Sequence, residues 1–161
     1  MIRKIKYSDR KAILEIYAKG LASGNASFET KVPSWMKWNG KHVRHSRFAY
    51  VKDGTVAGWI ALSRTSARKA YEGVCEVSVY VDSAYAAQGI GSVLMEAVIE
   101  SSEKNGVWTL FASIFPENTG SIGLHEKFGF RKIGYREKIA KRAGIWRDTV
   151  IFERRSKTVG V

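Results

Sequence analysis

A carboxylate in the middle of a β-branched strand must be paired, solvated or put to use. Glu76 stands in such a strand, Glu76-Val77-Ser78-Val79-Tyr80-Val81-Asp82. In an extended chain it shares a face with Ser78 and Tyr80, while Cys75, Val77, Val79 and Val81 take the other. Burial would raise its pKa and suit it to take a proton, directly or through a water. The competing reading is a structural salt bridge. The chain then passes through Tyr85-Ala86-Ala87-Gln88-Gly89-Ile90-Gly91-Ser92 into an apolar-periodic helix. Glycines let a backbone approach a ligand closely, and a helix N-terminus offers free N–H groups that suit phosphate. Two familiar phosphate loops are excluded. Leu94 stands where a dinucleotide fingerprint needs its third glycine, and no Gly-Lys-Ser/Thr tripeptide ends a P-loop. On its own, the junction is also compatible with a tight connection that holds no ligand.

A second group of chemical side chains lies in Pro116-Glu117-Asn118…Ser121-Ile122-Gly123-Leu124-His125-Glu126-Lys127-Phe128-Gly129-Phe130. Asn118 and His125 are seven residues apart and project on nearly one helical face. Asn118 is of the type that caps a helix, and it can do so while touching a ligand. A histidine titrates near neutral pH, although one on an amphipathic helix is often merely hydrogen-bonded.

Together these segments resemble the GNAT superfamily of acetyl-CoA-dependent N-acetyltransferases. Gly24-Asn25-Ala26-Ser27-Phe28-Glu29-Thr30, with Pro33 and Trp35, and later Gly144-Ile145-Trp146-Arg147-Asp148, resemble its phosphinothricin/amino-acid N-acetyltransferase branch. The likeness runs over roughly residues 2 to 154. It implies acetyl-CoA as co-substrate and direct transfer to an amine without a covalent enzyme intermediate. The pyrophosphate would lie on Ala87, Gln88, Gly89, Ile90, Gly91 and Ser92. The pantetheine would lie on the backbone of Val79, Tyr80 and Val81, on a strand that splays from its neighbour. Asn118 and Lys127 would also meet the cofactor. His125 stands where a Tyr often protonates the departing thiolate. Glu76 falls in the substrate site as the candidate base. Arg68 and Tyr71 match positions that contact substrate, and an arginine pairs a carboxylate bidentately; Arg64 is the weaker choice. Phe28, Glu29, Thr30 and Trp35 would close the pocket. Two residues depart from the pattern: the family usually carries Arg or Gln at Ala86 and often Gly at Ala87. Backbone N–H groups, with Gln88, would then do most of the phosphate binding.

The whole chain sets further bounds. Its 161 residues suit one domain, expected over 1–155, with 156–161 a flexible tail. No apolar run reaches membrane-spanning length and no signal-peptide pattern opens the chain, so a soluble, cytoplasmic protein is expected. The single cysteine, Cys75, rules out an internal disulfide, and its valine neighbours point it at the core rather than at chemistry. His42 and His45 lack partners at ligand spacing; a surface or helix-face role and no metal are expected. The net charge of +12 invites a nucleic-acid reading, but no recognition motif accompanies it. Clusters such as Lys37–Arg47 read as solvated surface, which would also suit polyanionic coenzyme A.

The expected elements are a strand at 2–5, a helix from Ser8 or Asp9, and a second helix with Pro33 in its first turn. A hairpin follows over 48–62, then strand 74–82, helix 89–105, strand 107–114, helix 118–128 and a final hairpin turning at Ala143-Gly144. This is an α/β (α+β) order. The GNAT resemblance implies one mixed sheet of about six to seven strands with about four helices, and a homodimer joined through the C-terminal strands. The expected activity is acetyl transfer to a small amino acid or analogue such as phosphinothricin, methionine sulfoximine or methionine sulfone. Alternatives are peptide N-termini or polyamines as acceptors, a coenzyme-binding but inactive domain, and a basic nucleic-acid-binding module.

Overall fold

The computed structural model describes residues 1–161. In chain order the elements are β1 (Ile2–Lys4), α1 (Arg10–Ala22), α2 (Trp35–Lys41), β2 (Phe48–Lys52), β3 (Thr55–Arg64), β4 (Val74–Val81), α3 (Ile90–Lys104), β5 (Thr109–Ile114), α4 (Thr119–Lys127), β6 (Arg131–Arg142) and β7 (Ile145–Arg155). All strands join one seven-stranded sheet in the order β1-β2-β3-β4-β5-β7-β6. Only β4 and β5 pair in parallel, joined by the crossover helix α3. The mixed α/β sheet expected from the sequence is therefore present.

The sheet is covered on both faces. On one, Leu94, Met95 and Val98 of α3 pack with Ile60, Leu62, Cys75 and Val77. On the other, Ile13, Ile16, Tyr17 and Leu21 of α1 and Trp38 of α2 pack on Ala49, Trp59 and Ala61. β3 lies between the two layers, which is why its residues from Val56 to Ser63 are all buried. Gly20 lets α1 press on the ring of Tyr80; a Cβ there would lie 2.6 Å from the ring carbons. Asp53 and Gly54, at φ 50° and 75°, make the tight turn between β2 and β3.

Two local expectations change. Pro33 precedes α2 rather than opening it; Ser34 is the cap, accepting from the Lys37 amide at 3.3 Å, because a hydroxyl can satisfy a free N–H that proline cannot. His42 is not a surface residue: it is 5% exposed, packed between Trp38 and Trp59. At the end of the chain, Ser156 is buried. Its hydroxyl donates to Glu103 at 2.9 Å and accepts from the amides of Thr158 and Val159.

One buried ion pair fixes the start of the chain. Asp9, 6% exposed, accepts from Arg3 at 2.7 and 2.9 Å and from the Lys6 amide at 2.7 Å. Hydrogen bonding to Arg3 holds its carboxyl below the usual range. The stabilisation is present above the unfolded-state pKa and is lost as pH falls through the depressed folded-state value. Asp9→Asn should lower unfolding free energy by roughly 2 kcal/mol at neutral pH and flatten the loss of stability in acid. Urea denaturation of both proteins at pH 7 and pH 3.5 checks this.

Candidate active site

The site is created by a divergence of strands. β4 and β5 pair at Val74/Thr109, Cys75/Leu110 and Glu76/Phe111 and no further. Beyond that point β4 pairs with β3 alone and β5 with β7 alone. Alternate amides and carbonyls along Val77–Val81 on the open side therefore lack a strand partner. A cleft of about 1450 Å³ opens between the parting strands. It is lined by α1 and its following loop, α2, β4, the turn into α3, the end of β5, and α4.

At one end lies the turn 86–92. Ala87 and Gly89 are both left-handed, at φ 59° and 76°. This arrangement aims successive N–H groups at one place, and the amides of Ala87, Gln88, Gly89, Ile90 and Gly91 have no backbone acceptor. All line the cleft, as do Gln88 and Ser92. The concavity and the 15-residue helix behind it fit a pyrophosphate. The Gln88 side chain is held by Lys52. Lys127 lies outside the lining, but its ammonium donates to Ser92 Oγ at 3.1 Å and so adds charge at the rim.

At the mouth of the divergence stands Glu76. Its strand neighbours across β3 put His42, Ser63, Glu76 and Phe111 in one row on one face of the sheet. Glu76 makes no ion pair and no side-chain hydrogen bond within the protein. A structural salt bridge is thus not its role. Burial pushes its pKa up, opposed in part by the charge of Lys41. Tyr80 stacks on Trp59 at 4.9 Å and meets Tyr17 edge-on at the same distance, so the floor below Glu76 is aromatic.

On the far wall, Asn118 does what its type favours. Its Oδ1 accepts from the Ser121 amide at 3.2 Å, and its Nδ2 donates to the Asn25 carbonyl at 3.1 Å. His125 lines the cleft and is 2% exposed. Its Nδ1 lies 2.7 Å from the Ser121 carbonyl; a carbonyl only accepts, so Nδ1 carries the proton and Nε2 is bare. Nε2 has no partner, and burial lowers the pKa of the ring.

Phe28 and Glu29 join the cleft, whereas Thr30, Trp35, Arg68 and Tyr71 do not line it. Trp35 stacks behind Trp38 at 4.9 Å, and Arg68 lies over the exposed ring of Tyr71 at 5.6 Å. Three lining groups that the sequence reads as surface rather than site are Lys37, Lys41 and His42. The i, i+4 spacing of the lysines on α2 was visible, but only the fold turns that face inward. Also unread were Arg142, donating to the Leu21 and Ser27 carbonyls, and Arg147, donating to Gly24 and Asn25. They anchor the loop that forms the cleft's outer wall.

Comparison with known proteins agrees with this fold. The sequence model of the acetyltransferase (GNAT) family matches residues 11–130. A phosphinothricin N-acetyltransferase of Alcaligenes faecalis is 32% identical over 95% of this chain and 81% of its own. An L-methionine sulfoximine/L-methionine sulfone acetyltransferase of Pseudomonas aeruginosa is 27% identical over 94% of this chain and 92% of its own. The fold of a Sinorhizobium meliloti phosphinothricin acetyltransferase, solved in complex with AcCoA, superposes with a TM-score of 0.90. It shares 24% identity, over 99% of this chain and 90% of that one. The chain belongs to the GNAT family, and it is an acetyltransferase.

Two outcomes test the local physics. A non-glycine residue in the left-handed region carries strain, so Ala87→Gly should raise unfolding free energy by roughly 0.5–1 kcal/mol, the gain offset by glycine's freedom when unfolded. Thermal melts of the two proteins measure this. His42 is buried and neutral, its pKa lowered by burial to about 4. The unfolded imidazole binds a proton near pH 6.5 while the folded one resists it, so stability falls as pH drops through that window. Between pH 7 and 5 His42 should account for a loss of roughly 2 kcal/mol, absent from the denaturation profile of His42→Gln.

Proposed function

We propose that this protein transfers acetyl from acetyl-CoA to the amine of a small amino acid or analogue, of the phosphinothricin or methionine sulfoximine type. The observation that carries the reading is Glu76: a sequestered carboxylate with no protein partner, at the point where β4 leaves β5. The names of the related enzymes supply the acceptor class.

The residues of the cleft fit the coenzyme. Unpartnered amides from Ala87 to Gly91 would take the pyrophosphate, and the open edge of Val79, Tyr80 and Val81 would hold the pantetheine arm. Bound acetyl-CoA supplies the activated acyl group. Glu76 accepts the proton of the incoming ammonium, directly or through a water, and its raised pKa makes it a better base than a solvated carboxylate. A free amide on the open edge of β4 serves as hydrogen-bond donor to the carbonyl under attack. Tyr17, Trp59 and Tyr80 exclude water from one side. His125 is tied to its own helix through the Ser121 carbonyl; with Nδ1–H committed there and Nε2 bare, it has no proton to give at neutral pH. The protein works in the cytoplasm as a homodimer. Ile133, Tyr135, Ile139, Ile145 and Trp146, exposed along β6 and β7, are its contact surface. Sedimentation at micromolar concentration should therefore report twice the 18.0 kDa chain mass.

Thiol release from acetyl-CoA should occur with phosphinothricin, methionine sulfoximine or methionine sulfone. Glu76→Gln should lower kcat/KM by roughly 10²–10³. In the wild type kcat/KM should rise with pH through the raised Glu76 pKa, because only the carboxylate accepts a proton, and the variant should lose that limb. Full turnover by Glu76→Gln would remove Glu76 from the chemistry. His125→Asn, which keeps the bond to Ser121, should retain kcat within about threefold, since one neutral hydrogen bond is preserved. A hundredfold fall would restore His125 as proton donor.

A further inference from the structure

We propose that Lys37 and Lys41 anchor the α-carboxylate of the acceptor, which makes a free amino acid, rather than a peptide N-terminus or a polyamine, the substrate class of this site. The inference rests on the acetyl-transfer reading above and assigns the part of that site for which Arg68 was the expected residue.

The cations around the cleft divide sharply. Lys19 is paired with Asp82 at 2.7 Å, Lys127 is bonded to Ser92, and Arg142 and Arg147 are committed to loop carbonyls. Lys31, Lys37 and Lys41 line the cleft with neither a carboxylate within 4.0 Å nor a side-chain hydrogen bond; Lys31 stands alone on the loop, and Lys37 and Lys41 form a pair on α2. Their i, i+4 spacing sets the two ammonium groups on one side of α2. The indoles of Trp38 and Trp59 lie beside them, so the acceptor arm has a flat apolar wall as well as charge.

Position relative to Glu76 is the second argument. In an α-amino acid one carbon separates the amine from the carboxylate, so the anion's anchor must stand close to the base that receives the amine's proton. Lys41 is the cation whose charge acts on Glu76, and it acts on His42 as well. The cleft's carboxylates, Glu29 and Glu76, come from the loop after α1 and from β4; of its three unpaired lysines, Lys31 lies on that loop two residues from Glu29, whereas Lys37 and Lys41 come together from α2. This polarity matches a zwitterion: ammonium towards the carboxylates, carboxylate towards the lysines. A peptide N-terminus carries an amide where the carboxylate would sit, and a polyamine carries further positive charge into a lysine pair. Both are disfavoured by the same two residues.

The test compares L-methionine sulfone, its methyl ester and a dipeptide beginning with it, using the full chain and acetyl-CoA. In the wild type the free acid should exceed the ester in kcat/KM by about tenfold or more, the range of one charge-assisted hydrogen bond. In the double variant Lys37→Gln/Lys41→Gln the ratio should fall towards one, through KM rather than kcat, and Lys41→Arg should keep most of it. Equal use of acid and ester by the wild type overturns the proposal. So does a preference that survives the double variant or that collapses in Arg68→Ala instead. Absence of turnover with all three acceptors, while acetyl-CoA still binds, overturns the acceptor reading on which the proposal depends and is recognisable as that separate failure.

Discussion

Everything in this site follows from the parting of two parallel strands. A sheet hydrogen-bonds its backbone edge to edge, and a strand that leaves its neighbour exposes groups it would otherwise bury in the ladder. β4 and β5 keep company for three residue pairs and then separate. Each remains secured on its other side, β4 by β3 and β5 by β7, so the gap persists without unravelling the sheet. The opening supplies unpaired amides, a cleft wide enough for an extended ligand, and a place where Glu76 faces that cleft.

The electrostatics of the cleft depend on what is withheld from water. Glu76 has no partner to lower its pKa, so burial dominates. His42 and His125 each commit Nδ1 to a main-chain carbonyl and are held neutral by burial. The positive features that remain are amide dipoles at the turn before α3 and the unpaired ammonium groups, those of Lys37 and Lys41 on α2 and that of Lys31 on the loop before it. They stand at separate parts of the cleft, one suited to a phosphate and the other to a small acceptor.

The outer wall is held from a distance. Residues 23–29 form no helix or strand, yet Arg142 and Arg147 reach them from the last hairpin, and Arg147 also lies 4.0 Å over the ring of Phe115. Such a loop would otherwise carry unsatisfied carbonyls near the cleft. The C-terminal hairpin therefore shapes a wall of the cleft that is formed largely by the first third of the chain.

The sequence by itself determined the elements and the turn that opens α3. Apolar periodicity marked α1 and α3, turn chemistry marked the hairpins, and Ala87 to Ser92 followed a strand and opened a helix. Asn118 was legible as a cap, and Glu76 was conspicuous because an isolated carboxylate in an apolar strand needs a reason. These are local signals, written within a few residues of one another. Which charges line the rest of the cleft was decided only by tertiary structure. Arg68 carries the right charge, but its loop sets it over Tyr71 outside the cleft, while Lys37 and Lys41, unremarkable in a basic stretch, face inward once Trp38 is packed on Trp59. His42 became buried because its neighbour on β3, Ser63, lies twenty-one residues further along the chain. Charge and residue type are properties of the sequence; which charges share a cavity depends on long-range packing, and no local pattern encodes it.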